Sequence, residues 1–179
     1  MGRTAKTKSL PAPSCPAAPG AVGGGAVLFL DFDGVLNNHK TIRRFERLAV
    51  ELRLLDWLDP DLTQMVGAVA AEFDALIVVC SSWRDRHDAA KLRASLHARG
   101  IPREVDVEAC RRGGGKGDAI RAYLHDHPGV TRFAILDDGP DGVMETELQR
   151  HLVAPNGYHG VTDEEIERVR DLLRPEARS

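Results

Sequence analysis

The stretch VLFLDFDGVLN, residues 27–37, joins four apolar residues to two carboxylates, Asp31 and Asp33. A short, uninterrupted apolar run is typical of a strand that is buried in a parallel sheet. Carboxylates that follow such a strand lie at the carboxyl edge of the sheet, where open α/β sheets bind ligands. Two neighbouring acids are costly to bury without a cation. The stretch therefore predicts a site for a hard metal ion and phosphoryl-group chemistry beside it.

Length and composition are those of a globular domain. The 179 residues suit one domain with a sizeable core, and the apolar and charged fractions of 42% and 28% are ordinary. The net charge of −3 does not drive the whole chain toward nucleic acid, although a local basic groove stays open. We find no long apolar run and no secretory signal, so we expect a cytoplasmic protein without a membrane partner. Its Cys15, Cys80 and Cys110 are expected to be reduced. The sequence carries no signal for an oligomeric state.

Three segments are expected along the chain. Residues 1–25 are rich in Pro, Ala and Gly, which predicts a disordered tail. Residues 26–174 alternate apolar runs with amphipathic stretches, and residues 175–179 are expected to be a flexible C-terminus. The alternation predicts βαβ units and an α/β fold with a Rossmann-like, doubly wound parallel sheet.

Local patterns predict the individual elements. Further strands are expected over residues 75–80, 103–107, 132–136 and 148–153. Helices are expected over 42–58, from the start signal Asp59-Pro60, over 85–99, after Asp118 as an N-cap, and after the capping box Thr162-x-x-Glu165. The helix over 42–58 has two open roles, since it could cover a site or pack on the sheet.

Polar side chains follow three of the predicted strands. In chain order they are Asp31 and Asp33, then Ser81 and Ser82, then Asp137 and Asp138. Lys116 lies between the second and third sets, in a glycine-rich loop. Parallel strands joined by right-handed crossovers end at one edge of the sheet, so we expect all these groups in one crevice.

This ordered set resembles the haloacid dehalogenase-like (HAD) phosphatase superfamily. The matching segments are DFDGV at 31–35, VVCSS at 78–82, Lys116, and ILDD at 135–138 with Asp141. The resemblance covers residues 26–174 and implies the HAD fold with a minimal cap or none. The segments SSWR at 81–84 and YHGVT at 158–162 are similar to a minimal-cap group that includes HAD modules associated with RNA-repair proteins.

The resemblance implies a Mg²⁺-dependent phosphomonoester hydrolase that acts through an aspartyl-phosphate. Asp31 would be the nucleophile, and Asp33 would protonate the leaving oxygen and later deprotonate water. An acid at position 33 is typical of the phosphatases of this superfamily. Ser81 would donate a hydrogen bond to a phosphoryl oxygen, and Lys116 would stabilise the developing charge.

The implied Mg²⁺ ligands are the carboxylate of Asp31, the backbone carbonyl of Asp33 and one or both of Asp137 and Asp138. Which acid of the fourth motif is the main ligand stays open, with Asp141 as a further candidate. The metal would offset the repulsion between a carboxylate nucleophile and a phosphate dianion.

Substrate contacts are assigned to Gly34, Ser82 and Arg84, and a neighbouring acid is the alternative partner of Arg84. Gly34 would let the backbone approach the phosphate closely. Ser82 is also an alternative to Ser81 as the phosphate contact. Trp83 has two open roles, a core aromatic or a platform on which a base stacks.

The substrate itself is less defined by the sequence. An open crevice with nearby arginines suits a nucleic-acid end, while a nucleotide, a small phosphorylated metabolite or a phosphoprotein stays open. Arg111 or Arg112 is an alternative to Lys116 as the cation. A hypothesis from another class is a non-catalytic phosphate-binding module, which would not need Asp33 beside Asp31.

Overall fold

The computed structural model describes residues 25–46, 54–102, 104–107, 115–139, 142–143 and 146–175. The expected tail, apart from residue 25, lies outside these residues, as do residues 176–179. Asp141, Arg111 and Arg112 lie outside them as well.

Five parallel strands of the described residues form one sheet in the order β3-β2-β1-β4-β5. Their bounds are Ala26–Leu30 (β1), Leu76–Val79 (β2), Val105–Asp106 (β3), Arg132–Leu136 (β4) and Leu152–Val153 (β5). The strand β1 is buried throughout and pairs with β2 on one side and with β4 on the other. The strand order therefore reverses between β1 and β4. Open α/β sheets bind ligands at such a reversal, so the ends of β1 and β4 mark the place of a site.

Helices cover both faces of this sheet, which confirms the doubly wound α/β fold. Their bounds are His39–Glu46 (α1), Pro60–Glu72 (α2), Trp83–Arg86 (α3), Ala89–Ala98 (α4), Lys116–Asp126 (α5) and Asp163–Leu173 (α6). Short 3₁₀ helices lie at Leu54–Trp57 and Glu147–His151. Apolar side chains of α2, α4 and α6 pack in one core, and those of α5 pack in a second core on the opposite face. In the described residues, no helix has the length and apolar character needed to cross a membrane.

The alternation along the strands decides on which face the acids lie. Phe29 of β1 and Ile135 of β4 belong to the core under α5. Because successive side chains of a strand point to opposite faces, Asp31 and Asp137 are expected on that same face, two residues further on. Lys116 is the first residue of the helix on this face. The sheet and α5 therefore bring one cation to two carboxylates.

The predicted cap signals are confirmed at two helices. Asp59 accepts hydrogen bonds from the backbone N–H groups of Asp61 and Leu62, and Pro60 opens α2. Thr162 and Glu165 form the expected capping box at the start of α6. These signals are local, since each one satisfies N–H groups that the first turn of a helix leaves without partners.

The prediction of one helix over 85–99 is wrong. The helix α3 ends at Arg86, and α4 begins only at Ala89. Asp88 is extended, and its side chain accepts from the N–H groups of Ala90 and Lys91. Asp88 therefore acts as a new N-cap, and this cap interrupts a pattern whose apolar spacing is helical on both sides.

Two further element predictions need correction. The strand expected over 148–153 forms only at Leu152–Val153, because a 3₁₀ helix capped by Thr146 precedes it. Asp118 is not the N-cap of α5, since Gly115 takes that position. Asp118 lies in the first turn instead and pairs with Arg121 at 2.9 Å.

The helix predicted over 42–58 is also different in the structure. The helix α1 begins earlier, at His39, and is described as far as Glu46. Residues 47–53 lie outside the described part, and residues 54–57 form a 3₁₀ helix. The side chains of Ile42 and Trp57 line one cavity, so this segment lies beside the carboxyl end of β1.

Candidate active site

A lysine bridges two carboxylates in the crevice between β1 and β4. Lys116 Nζ lies 2.8 Å from Asp31 Oδ2 and 2.5 Å from Asp137 Oδ2. The other oxygen of Asp31 accepts a hydrogen bond from the N–H of Phe32 at 2.8 Å, and that of Asp137 accepts from the N–H of Gly139 at 2.9 Å. Each carboxylate is therefore held at both of its oxygens, and its orientation is set before any ligand binds.

Lys116 lies near the acids, as the sequence predicts, but it lies in a different element of secondary structure. Lys116 begins α5 and does not lie in a loop. A cation at the N-terminus of a helix opposes the helix dipole, which is locally unfavourable. The two carboxylates of β1 and β4 offset that cost, so the position of Lys116 is explained by the site and not by the helix.

Asp138 completes the group of acids, and two glycines make room for it. A Cβ added at Gly34 would lie 1.8 Å from Asp138 Oδ2, and one added at Gly157 would lie 2.4 Å from it. Gly34 also has a φ of +71°, a conformation that side-chain-bearing residues rarely adopt. Glycine is thus required at position 34 for two reasons: the carboxylate of Asp138 comes close, and the backbone φ is positive.

The charged groups in the crevice shift one another's pKa values. Burial and the charge of Asp31 raise the pKa of Asp137 to about 6, although Lys116 opposes both effects. Burial and the charge of Asp31 also raise the pKa of Asp138. Burial alone would lower the pKa of Lys116, but Asp31 and Asp137 raise it above its ordinary value. The lysine is therefore charged at neutral pH, and the acids are crowded for a single ammonium.

This crowding fits a divalent cation. Asp31, Asp137 and Asp138 each offer a carboxylate oxygen within 4.8 Å of the others. Among the described residues, Asp137 Oδ2 is buried without a hydrogen bond of good geometry, although the Lys116 ammonium lies 2.5 Å from it. A set made only of carboxylate oxygens is typical of Mg²⁺, Ca²⁺ or Mn²⁺ and not of softer metals. The three predicted metal-binding side chains are thus brought together.

Asp33 has hydrogen-bond partners of its own, although burial, the charge of Asp31 and also the charge of Asp33 raise the pKa of Asp138. Its Oδ1 accepts a hydrogen bond from Asn37 Nδ2 and its Oδ2 accepts one from Trp83 Nε1, each at 2.9 Å. Asn37 is fixed in turn, because its Oδ1 accepts from the N–H of Gly34 at 3.1 Å. The carboxylate of Asp33 is therefore held by two neutral donors, whereas Asp31 and Asp137 pair with Lys116. Asp31 and Asp33, two positions apart in the motif, are thus suited to different tasks.

The two serines of the second motif have different surroundings. Ser81 is fully buried, and its Oγ accepts a hydrogen bond from the N–H of Trp83 at 3.4 Å. Its hydroxyl hydrogen takes no part in that interaction. Ser82 is exposed and stands before α3 without a side-chain cap bond. Their predicted roles in phosphate binding stay predictions.

Arg84 contacts a backbone carbonyl and a neighbouring acid inside the protein. Its Nη1 donates to the backbone carbonyl of Val79 at 3.3 Å, and its Nε lies 3.9 Å from Asp85. The side chain is only 12% exposed. This placement anchors α3 to the end of β2, while the predicted contact of Arg84 with substrate stays a prediction.

The C-terminal segment YHGVT closes over the first motif. Asn38 Nδ2 donates to the carbonyl of His159 at 2.9 Å, and the N–H of Val161 donates to the carbonyl of Val35 at 3.1 Å. Gly157 of the same turn lies against Asp138. Hydrogen bonds thus join the YHGVT segment to the residues that follow β1, so both segments lie beside the acidic site.

Sequence reasoning missed the partners of Asp33. Asn37 stood at the end of the opening stretch and received no role, although residues four apart are neighbours in a tight turn. Trp83 was given two possible roles, and neither was that of a hydrogen-bond donor. The signal available was chemical, because a buried indole N–H needs an acceptor.

Comparison with known proteins identifies one family. The sequence model of the HAD domain in Swiss Army Knife RNA repair proteins matches residues 27–166. The match covers β1 from Val27 onward and all of β2 to β5, and it includes every predicted site residue. No curated protein and no solved structure matches the chain.

Proposed function

The chain belongs to the family of HAD domains in Swiss Army Knife RNA repair proteins, and from this premise we propose that it is a Mg²⁺-dependent phosphomonoester hydrolase that acts on nucleic-acid ends. The family suggests a hydrolase of the phosphatase type. The name of the family supports a nucleic-acid substrate. One observation carries the mechanism: Asp31 lies in the cluster with Lys116, while Asp33 is held outside it.

The first half of the proposed reaction forms an aspartyl-phosphate. An oxygen of Asp31 attacks phosphorus, the P–O bond to the leaving group breaks, and Asp33 gives its proton to the leaving oxygen. Lys116 is already at hydrogen-bond distance from Asp31. Its ammonium can therefore stabilise the negative charge that develops on the phosphoryl oxygens. The buried hydroxyl of Ser81 would donate to one of these oxygens.

The second half regenerates the enzyme. Water attacks the phosphorus of the aspartyl-phosphate, Asp33 accepts a proton from that water, and the P–O bond to Asp31 breaks to release phosphate. The hydrogen bonds from Asn37 and Trp83 keep the carboxylate of Asp33 in one place through both halves. A positioned acid of this kind contributes about 10²- to 10⁴-fold to the rate.

Mg²⁺ would be held by the carboxylates of Asp31, Asp137 and Asp138, and bound there it would offset the repulsion between Asp31 and the phosphate dianion. The site suits a cation because three carboxylates lie close together and one lysine supplies the positive charge. Gly34 and Gly157 keep the space for the third acid.

The test is release of phosphate from a panel of substrates in the presence and absence of excess chelator. The panel contains 3′- and 5′-phosphorylated oligonucleotides, nucleotides, sugar phosphates and an aryl phosphate. We expect metal-dependent turnover with a preference for oligonucleotides, and loss of turnover in Asp31→Asn. The matched control is Asp171→Asn, since this acid is exposed on α6 and pairs with Arg174.

Three outcomes would contradict parts of the proposal. Full activity of Asp31→Asn or in chelator overturns the mechanism. Preference for a sugar phosphate overturns the substrate. Phosphate binding without any turnover favours a non-catalytic binding module.

A further inference from the structure

A cavity of about 300 Å³ opens beside Asp33. Its walls come from the turn after β1, from α1, from the 3₁₀ helix at residues 54–57 and from α3. The lining residues are Asp33, Asn37, Ile42, Trp57, Trp83, Arg86 and His87. A volume of this size is at the lower end for small-molecule sites, so it suits one unit of a ligand and not a long segment.

The cavity lies on the side of the site to which the leaving group must go. Asp33 lines it, whereas Asp31, Asp137 and Asp138 do not. In the proposed reaction Asp33 exchanges a proton with the leaving oxygen, so the rest of the leaving group must be near Asp33. The donors that hold Asp33, Asn37 and Trp83, belong to the same wall. We infer that this cavity receives the leaving group, an inference that rests on the proposed function.

The lining favours a flat apolar group. Trp57 and Ile42 are partly exposed and supply apolar surface. Trp83 is only 9% exposed, and its ring packs edge-on against Phe32 at 5.4 Å, so it supplies less of that surface than Trp57 does. Aromatic side chains bind unpaired nucleobases by stacking, which tolerates any base. The cavity is thus suited to the terminal nucleoside of a strand.

Two further residues favour an anion next to that nucleoside. Arg86 and His87 are exposed and line the same cavity. Within the described residues, Arg86 has no ion-pair partner, so its guanidinium is available to a ligand. Guanidinium groups bind phosphate through two parallel hydrogen bonds. We therefore assign Arg86 to the phosphate that follows the terminal nucleoside in a strand.

The specificity that results can be measured with three small substrates. Adenosine 3′,5′-bisphosphate carries the base and a second phosphate, adenosine 5′-monophosphate carries the base alone, and glycerol 2-phosphate carries neither. We expect kcat/KM of the wild-type protein to fall in that order. Arg86→Ala should lower kcat/KM about tenfold for the bisphosphate and far less for the monophosphate.

Variants of Trp57 test the apolar wall. Trp57→Ala should lower kcat/KM about tenfold more for both nucleotides than for glycerol 2-phosphate, and Trp57→Phe should restore most of the loss because it keeps a ring. Arg168→Ala is the matched control for Arg86→Ala, since Arg168 is exposed on α6 and does not line the cavity. Thermal melts of each variant report whether the fold is kept, and Arg86→Ala carries the test if Trp57→Ala does not fold.

Binding separates failure of this inference from failure of the hydrolase. Calorimetry with adenosine 3′,5′-bisphosphate in the Asp31→Asn protein should show about tenfold weaker binding when Arg86→Ala is added. Equal losses for all three substrates, or none, overturn the cavity assignment while the hydrolase stands. No turnover by the wild-type protein together with binding that depends on Arg86 overturns the hydrolase and supports the cavity as a nucleotide site.

Discussion

Trp83 donates a hydrogen bond from Nε1 to Oδ2 of Asp33 at 2.9 Å, although the two residues are 50 positions apart. The indole is itself held, because it packs edge-on against Phe32 at a ring distance of 5.4 Å. The end of β2 therefore orients an acid that follows β1. This contact gives Asp33 a hydrogen-bond donor different from the Lys116 that pairs with Asp31, so the two acids of the first motif have different partners.

We expect Trp83→Phe to lower kcat while it leaves KM nearly unchanged. The substitution removes the N–H and keeps the ring that packs on Phe32. Loss of a supporting hydrogen bond of this kind is expected to cost about 10- to 100-fold. The loss should be smaller for 4-nitrophenyl phosphate than for an alkyl phosphate, because a good leaving group needs less protonation. Equal losses for both substrates would mean that Trp83 has only a structural role.

Removal of the charge of Lys116 should make the metal-free protein less stable. Lys116→Met leaves Asp31 and Asp137 without their cation, and a broken buried pair costs about 3 kcal/mol. Mg²⁺ should restore much of that loss, since it provides a cation to the same acids. Denaturant unfolding with and without Mg²⁺ measures both effects. Stability that is unchanged in the metal-free variant would contradict the bridging role of Lys116.

The stability of the metal-free protein should fall as pH rises from about 4 to about 6. Burial and the charge of Asp31 together raise the pKa of Asp137 from 3.8 to about 6, so in this range the folded state keeps a proton that the unfolded state has lost. Each rise in pH therefore favours the unfolded state. Thermal melts across this range should show the decline, and Asp137→Asn should flatten it. A rise of stability with pH that depends on Asp137 would be contrary to this assignment.

Stabilisation by Mg²⁺ should have the opposite pH dependence. The metal requires ionised carboxylates, and the pKa of Asp137 is raised to about 6 by burial and by Asp31. The increase in melting temperature caused by Mg²⁺ should therefore be small at pH 5 and larger at pH 7. Melts with Mg²⁺ at both pH values measure it, with chelator as the control. An increase that does not change with pH would exclude Asp137 as a ligand.

Gly34→Ala should weaken the metal site more than it weakens the fold. The new Cβ would lie 1.8 Å from Asp138 Oδ2, so the carboxylate must move, and the φ of +71° adds strain. Strain at such a position costs about 1–3 kcal/mol. We expect at least about a tenfold loss of Mg²⁺ affinity, as is found when metal-site support is removed. Gly129→Ala is the matched control, because a Cβ there meets nothing within 4 Å. Unchanged Mg²⁺ affinity in Gly34→Ala would mean that Asp138 is not a ligand of the metal.

Local patterns in the sequence were sufficient for most elements. The strand β1, the strand β4 and the caps at Asp59 and Thr162 were predicted, because each depends on residues within one turn or one strand. The break at Asp88 was missed, since apolar spacing continues through a cap and only the backbone shows the interruption. The start of α5 was displaced for a similar reason, because a glycine with no side chain takes the N-cap and gives no signal.

The sequence by itself determined which chemical groups the crevice contains. Apolar strands that end in acids place those acids at one edge of a parallel sheet. This rule does not depend on the conformation of the loops. The tertiary structure alone decided how the groups are divided. Lys116 pairs with Asp31 and Asp137, Asp33 pairs with Asn37 and Trp83, and a cavity opens beside Asp33. A hydrogen bond depends on distances of a few ångströms between elements, and these distances follow from how α3 and α5 pack on the sheet.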